Sequence, residues 1–370
     1  MVGDAGLSGE PTVLLTGVPG FLGSALLERL LARGDGPVAC LIQPQYREQA
    51  EKRATQLCHS LGLDPDTEPV RLLEGDITDP ELGIGSTLKS LSSIQSCYHL
   101  AAVYDLGVDR ELAEAVNVTG TENVLDAAER LMVNRFHYVS TCYVSGRHDG
   151  LFTETDLSVG QSFNNHYEAT KYRAEVLVQE RMRAGLATTI YRPSIVVGDS
   201  QTGETGKYDG PYYLLRLLLR QPQLLSLGLS VLSSRTAELN VAPQDFVIDA
   251  IDELSGRDDT VNEVYQLCDP APLSVPDFVA ALGAAMDHRV VSPSVPKPLA
   301  RRLLAGLAQM GLPADSATVD YLDHPTRYAC PNTQRALAGT HIECPPFESY
   351  VDRLVAYVRD NPDVGSEPMV

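Results

Sequence analysis

The sequence predicts an α/β protein, a doubly wound parallel sheet with a smaller, mostly helical C-terminal lobe. Three observations predict it. Short apolar, β-branched runs alternate with helical segments through the first two thirds of the chain, the pattern of a parallel sheet covered on both faces. A glycine-rich turn, TGVPGFLG, stands between the first such run and the first helix. From Leu273 onward apolar residues recur at i, i+3 and i+4, the spacing of amphipathic helices.

The elements follow in order. TVLLT (Thr12 to Thr16) reads as a short buried strand and GFLGSALLERLLARG as the helix after it. PVACLI around Cys40, VRLLEGDI from Val70, SCYHLAAV around His99, FHYVST from Phe136 and TTIYRPSIVVG from Thr188 repeat the strand signal. Past Gly198 the rhythm breaks into the polar DSQTGETGKYDGPYY and a Leu-rich run, and ELNVAPQDFVIDAIDEL and EVYQLCD return to helix and sheet. LSVPDFVAALGAAM, KPLARRLLAGLAQMGL and FESYVDRLVAYVRD supply the lobe helices. With 370 residues, and roughly 100 to 200 per domain, two units are expected. One is a sheet domain of residues 10–205 plus 238–268, and the other is a substrate lobe of residues 206–237 plus 269–358. Residues 1–9 and 361–370 are expected to be disordered tails.

Composition limits what the chain does. Hydrophobic residues at 44% and charged residues at 21% are an ordinary globular mixture, which excludes disorder and collagen-like repeats. Twenty-nine basic residues against 49 acidic ones give a net charge of −20, which repels phosphate backbones and argues against a nucleic-acid partner. Local backbone dipoles still permit a phosphorylated small ligand. The seven cysteines are odd in number and scattered, with no CxxC pair, so reduced thiols and no metal are expected. MVGDAGLSGEP lacks the basic start and apolar run of a signal peptide, and YYLLRLLLRQPQLLSLGLSVL is interrupted by Arg216, Arg220, Gln221 and Pro222. No spanning helix and a cytoplasmic location are expected.

The glycine turn sits where a Rossmann-type dinucleotide fingerprint belongs. Gly17 permits the tight turn, Gly20 lets the backbone approach a pyrophosphate, and Gly23 allows close helix–strand packing. About 20 residues on, the end of the second strand selects the ribose. That region, CLIQPQYREQAEKRA, has no carboxylate at Gln43 and carries Arg47, Lys52 and Arg53 downstream. NADPH is therefore the expected cofactor, with Arg47 as the contact to the 2′-phosphate, and NAD stays open. In GDIT, Asp76 is placed to accept from the adenine amino group and Ile77 to pack on the ring.

Tyr167 and Lys171 stand four apart in NNHYEATKYRAE, so they share a helix face. An adjacent ammonium lowers the pKa of a phenol and makes it a usable acid–base group. Lys171 is also placed to bond the nicotinamide ribose. FHYVSTCYVSG brings Ser140 or Thr141 to the carboxyl edge of the sheet, where a hydroxyl holds a carbonyl oxygen, and YRPSIVVG brings Pro193, Ser194 and Ile195 against the nicotinamide.

The ordered set of glycine turn, GDI, HLAA, STCYV, YxxxK and YRPS resembles the extended short-chain dehydrogenase/reductase superfamily from about Thr12 through Asp269, and more loosely into the C-terminal lobe. The resemblance implies Thr141, Tyr167 and Lys171 as a catalytic trio. It implies His99, Leu100, Ala101 and Ala102 at the adenosine side, with Thr16, Phe21, Leu22 and Val103 also on the cofactor. It implies Asn117, in NVTGTENVL, supporting the active-site helix. HLAAVYDL, YEATKYRAE and above all IYRPSIVVGDSQTGETGKYDGPYY look most like the fatty acyl-CoA and thioester reductase branch with its male-sterility-type NAD-binding domain. That branch reduces an acyl thioester, carried on coenzyme A or an acyl carrier, to an aldehyde and sometimes onward to the alcohol. Similar proteins often carry Arg where this chain has Gln43. The Leu-rich insertion after Tyr213 and the ARRLLAGLAQMGL helix are expected to line a tunnel for an apolar chain. The resemblance also implies a homodimer through the helices around Asn117 and Tyr167. The same trio serves 3β-hydroxysteroid-type or β-hydroxy-acid dehydrogenases and nucleotide-sugar epimerases or dehydratases, which stay open, as does a non-catalytic dinucleotide-binding scaffold.

Overall fold

The computed structural model describes residues 9–365 except 106, 223–225, 228–229, 232–236, 292–293 and 311–317. Much of the Leu-rich insertion, the end of the ARRLLAGLAQMGL segment and the outermost parts of both tails lie outside the described residues. Seven strands form one sheet: β1 (Val13–Thr16), β2 (Val38–Ile42), β3 (Val70–Glu74), β4 (Ser96–His99), β5 (Arg135–Val139), β6 (Thr188–Pro193) and β7 (Val264–Leu267). Their order is β7-β6-β5-β4-β1-β2-β3, and every pairing is parallel. The strand order reverses between β1 and β4. Because the strands are parallel, their carboxyl ends share one edge: Thr16 is in register with Leu41 and His99, His99 with Tyr138, and Val139 with Tyr191.

Helices cover both faces of the central strands, and β1 and β2 are buried throughout. Successive side chains of a strand point to opposite faces, and β1 shows the consequence. Leu15, fully buried, packs with Leu26, Leu27 and Leu30 of α1 (Phe21–Arg33). Leu14, also fully buried, packs on the other side with Val124 and Leu125 of α3 (Gly120–Leu131) and Ala174 and Val178 of α4 (His166–Ala184). Between β2 and β3 runs α2 (Arg47–Leu61).

After β6 the chain leaves the sheet for α5 (Pro211–Leu219), then returns through α6 (Gln244–Ser255) to β7. Residues Val241–Pro243 pair in parallel with Ile195–Val197 on the way back. The C-terminal lobe is built from α7 (Val275–Ala285), α8 (Lys297–Gln309) and α9 (Val351–Asp360). Its core joins Tyr212 and Leu215 of α5 to Phe278, Leu304, Leu354 and Val355. Among the described residues no helix is long and apolar enough to cross a membrane.

Two segments sit differently from their sequence grouping. Residues 326–342, grouped with the lobe, instead cover the outer edge of the sheet. Thr326–Tyr328 pairs with Gly150–Phe152, and Asn332 and Thr333 donate to the carbonyls of Val264 and Gln266 on β7 at 3.2 and 2.9 Å. An uncovered edge strand would leave those backbone groups unpaired. Residues 361–365, grouped with the frayed tail, are tied down: Tyr208 donates through its hydroxyl to the Asn361 carbonyl and through its N–H to the Gly365 carbonyl.

Because Leu15 is enclosed on every side, Leu15→Ala leaves a cavity that the surrounding strands cannot close. A loss of about 2–5 kcal/mol is expected, read from urea midpoints at unchanged slope.

Candidate active site

The turn after β1 is shaped by close approach. Gly17, at φ +98°, packs against the end of β4, where a Cβ would come within 3.0 Å of the Leu100 and Ala101 backbone. A Cβ on Gly23 would lie 2.3 Å from the Gly17 carbonyl oxygen. This packing leaves the first turn of α1 open toward a cavity of about 460 Å³ along the carboxyl edge of the sheet.

The expected cofactor residues Thr16, Gly17, Gly20, Phe21, Leu22, Gly23, Gln43, Asp76, Ile77, Leu100, Ala101, Ala102, Val103, Ser140, Pro193, Ser194 and Ile195 all line this cavity, together with Thr141, Tyr167 and Lys171. At one end, Asp76 accepts from the Thr78 N–H and hydroxyl at 2.8 Å each and from the Gln43 amide at 2.7 Å. Burial opposes its charge, but these donors hold its carboxyl below the usual range. Arg47 is not brought to the cavity. Its guanidinium turns to Glu51 and Glu74, at 2.8 and 2.7 Å, and Tyr46 lines the cavity beside Gln43 instead.

His99, expected beside the adenosine, is fully buried behind the cavity wall and does not line it. Its ring bonds Thr16 Oγ1 at 2.8 Å and Thr121 Oγ1 at 3.0 Å. Thr16 Oγ1 accepts from the N–H groups of Leu100 and Ala101, so its own proton goes to His99 Nδ1, and Nε2–H donates to Thr121. Burial, and then the charge of Lys171, push His99 down to about 3, so the ring is neutral. Thr121 donates onward to the Asn117 carbonyl at 2.7 Å. Asn117 in turn bonds the N–H and carbonyl of Val103 at 2.9 and 3.0 Å and donates to Thr170 Oγ1 at 3.0 Å. Thr170, which donates to the carbonyls of His166 and Tyr167, belongs to α4. Asn117 reaches this position from a π-helical turn, Glu114–Thr119, a geometry that turns an extra residue inward.

Asn165 caps α4 by accepting from the Glu168 N–H, and Tyr167 and Lys171 follow on the inner face. Withdrawal of the Tyr167 hydroxyl from water raises the phenol to about 12, although the nearby Thr141 side chain acts in the opposite direction. Lys171 Nζ donates to the Val139 carbonyl at 2.9 Å and to the Tyr138 hydroxyl at 3.0 Å. Burial lowers it to about 7, partly opposed by the charge of Glu175. The expected lowering of the phenol by the ammonium is therefore corrected: Lys171 is turned to the end of β5, and desolvation dominates at Tyr167. A neutral phenol remains a proton donor.

Sequence reasoning missed Glu175, Arg192 and Tyr138. Glu175 of α4 and Arg192 of β6 form an ion pair at 2.6 Å with both side chains wholly buried, and Ser140 donates to the same carboxylate at 2.6 Å. The signal was an arginine inside the otherwise apolar strand TTIYRP, because a buried charge requires a partner. The residues present fit a dinucleotide. The cavity joins Asp76 to Tyr167 past the glycine turn, and Ser194 Oγ is buried on its wall with no hydrogen-bond partner among the described residues.

Glu175→Gln strands the Arg192 charge, and a stability loss of about 3–5 kcal/mol is expected. Glu175 also holds the Lys171 pKa up, so in this variant the pH at which Lys171 loses its proton should fall below that of the parent. The pH dependence of dinucleotide affinity reads this shift, and an unmoved or raised midpoint contradicts it.

The male sterility protein family model matches residues 15–251. A terminal R domain from the myxalamid PKS-NRPS biosynthetic pathway superposes with a TM-score of 0.79 at 29% identity, covering 96% of this chain and 92% of that one. A linear gramicidin synthase of Brevibacillus parabrevis is 26% identical over 74% of this chain, which spans 6% of that protein's length. A 3 beta-hydroxysteroid dehydrogenase/Delta 5-->4-isomerase of Mycobacterium tuberculosis is 34% identical over 54% of this chain and 50% of its own. With the glycine turn, the Thr141, Tyr167 and Lys171 cluster and a match over more than half its length, the chain belongs to the male sterility protein family, a thioester reductase branch of the extended short-chain dehydrogenases/reductases, and is an NAD(P)-dependent oxidoreductase.

Proposed function

We propose that the protein reduces an acyl thioester, carried on coenzyme A or an acyl carrier, to an aldehyde, and that it accepts fatty aldehydes for onward reduction to alcohol. The observation that carries this reading is that Thr141 and Tyr167 line one cavity that also has an apolar stretch of wall on its lobe side. Tyr213, Leu214, Leu217, Phe278, Leu304 and Leu322 supply that wall. A bound reduced nicotinamide supplies the hydride. Thr141 and Tyr167 hold the carbonyl oxygen, where their hydroxyls stabilise developing negative charge. The proton of Tyr167 then passes to that oxygen. Loss of the thiol from the resulting hemithioacetal leaves the aldehyde.

NADPH is the proposed cofactor, on the absence of a carboxylate at Gln43. Arg47 remains the proposed 2′-phosphate contact, because its ion pairs are exposed and solvent screening makes a change of partner easy. A cytoplasmic location and a homodimer through α3 and α4 belong to the same reading. A hydroxysteroid or β-hydroxy acid is the second reading, supported by the mycobacterial relative and by the need of such substrates for an apolar pocket. It is favoured if acyl thioesters are inert while a steroid alcohol is oxidised.

Tyr167→Phe is expected to lower turnover about 100-fold or more with dinucleotide affinity nearly unchanged, and a variant that keeps most activity removes Tyr167 as the proton donor. Acyl chains buried against the lobe gain up to about 0.8 kcal/mol per CH₂, so kcat/KM should rise with chain length. A flat series from short to long acyl groups contradicts the apolar wall as the chain site.

A further inference from the structure

The segment between Gly198 and Pro211 is a strap tied to both parts of the molecule. Ser200 donates through its N–H to Asp245 of α6 at 2.8 Å, and Arg353 of α9 donates to the Ser200 carbonyl at 2.8 Å. Gly203, at φ +76°, passes so near α9 that a Cβ would lie 2.2 Å from the Arg353 carbonyl oxygen. Beyond this anchor, Thr205, Lys207 and Asp209 line the cavity. Gly206 passes Phe21, the first residue of α1, at 3.6 Å from a Cβ position to the ring. The strap therefore faces the glycine turn from the lobe side.

Lys207 Nζ lies 2.9 Å from Asp209 and 4.2 Å from the centre of the Tyr104 ring, with its side chain 13% exposed. Among the described lining residues, Lys171 and Lys207 are the two cations, and Lys171 is engaged with Tyr138 and Val139. The cavity also carries Asp76, Asp105 and Asp209, within a chain of net charge −20. A phosphate-bearing ligand entering such a field needs a cation close by. The partner Asp209 is 35% exposed, and partly exposed pairs exchange partners readily.

We propose that Lys207 is a phosphate-binding residue of this cavity, held ready by Asp209 and aimed at an oxyanion from the side opposite the glycine turn. Two ligands bring such an oxyanion: the dinucleotide, through its pyrophosphate, and a coenzyme A or carrier arm, through the phosphate of phosphopantetheine. The passage beside Phe21 favours the pyrophosphate. The first source rests only on dinucleotide binding, and the second also rests on the thioester reading above.

The test uses the full chain with Lys207→Met and Lys207→Arg, titrated with NADPH and with NADH by the fluorescence of the bound nicotinamide at low and high salt. Losing one charge-assisted hydrogen bond predicts about 10-fold weaker binding of both dinucleotides in Lys207→Met, a shallower salt dependence, and recovery in Lys207→Arg. If dinucleotide binding is unchanged but KM for an acyl-phosphopantetheine rises about 10-fold while that for the acyl-pantetheine lacking the phosphate does not, the proposal stands with the carrier arm as the source. Both ligands within a factor of about two of the parent, or a loss that arginine does not restore, overturns it. Acyl thioesters inert toward the parent would sink the reductase reading and leave the dinucleotide titration to decide Lys207.

Discussion

The site depends on one buried ion pair. Glu175 and Arg192 are both shut off from water, and neither charge is tolerable there without the other. The pair fixes α4 to β6, and Ser140 extends it to the end of β5. Lys171 lies one helical turn before Glu175 and Tyr167 two turns before it, so both inherit their positions from this anchor. The same carboxylate opposes the desolvation that lowers Lys171. A structural constraint and an electrostatic one thus meet in a single side chain.

A second chain of bonds runs from the glycine turn to the same helix. Thr16, His99, Thr121, Asn117 and Thr170 are linked in sequence. The network joins the glycine-turn end of the cavity to the helix that carries Tyr167 without charge, since His99 is neutral. Movement of α4 would therefore break the Asn117–Thr170 bond that ends this network as well as its bonds to β5 and β6. The parallel sheet makes this possible by bringing four strand ends to one edge.

Much of this was legible in the sequence. Strands buried on both faces leave mostly apolar runs, clearest in VLLT of β1 and VACLI of β2. The glycine turn was legible because close backbone approach admits no Cβ at Gly17 or Gly23, and the four-residue spacing of Tyr167 and Lys171 placed them on one face. Side-chain direction was not legible. Nothing in the spacing says that Lys171 reaches β5 or that Arg47 turns to Glu74, because both outcomes depend on groups distant in sequence, although the Arg47–Glu51 pair at i,i+4 is a local one. The π-turn at Asn117 leaves no periodic signal, as one extra residue only displaces the helical phase. The cover over β7 was grouped with the lobe because sequence position separates it from the sheet, whereas the unpaired edge of β7 draws it back.

The central claim is that Thr141 and Tyr167 hold a thioester carbonyl for reduction. The most direct measurement follows the oxidation of NADPH, with NADH in parallel, against palmitoyl-CoA and a long-chain aldehyde, with chromatography of the products. The account predicts oxidation that requires the thioester and yields aldehyde or alcohol together with free thiol. Cofactor binding without oxidation by either substrate would contradict it.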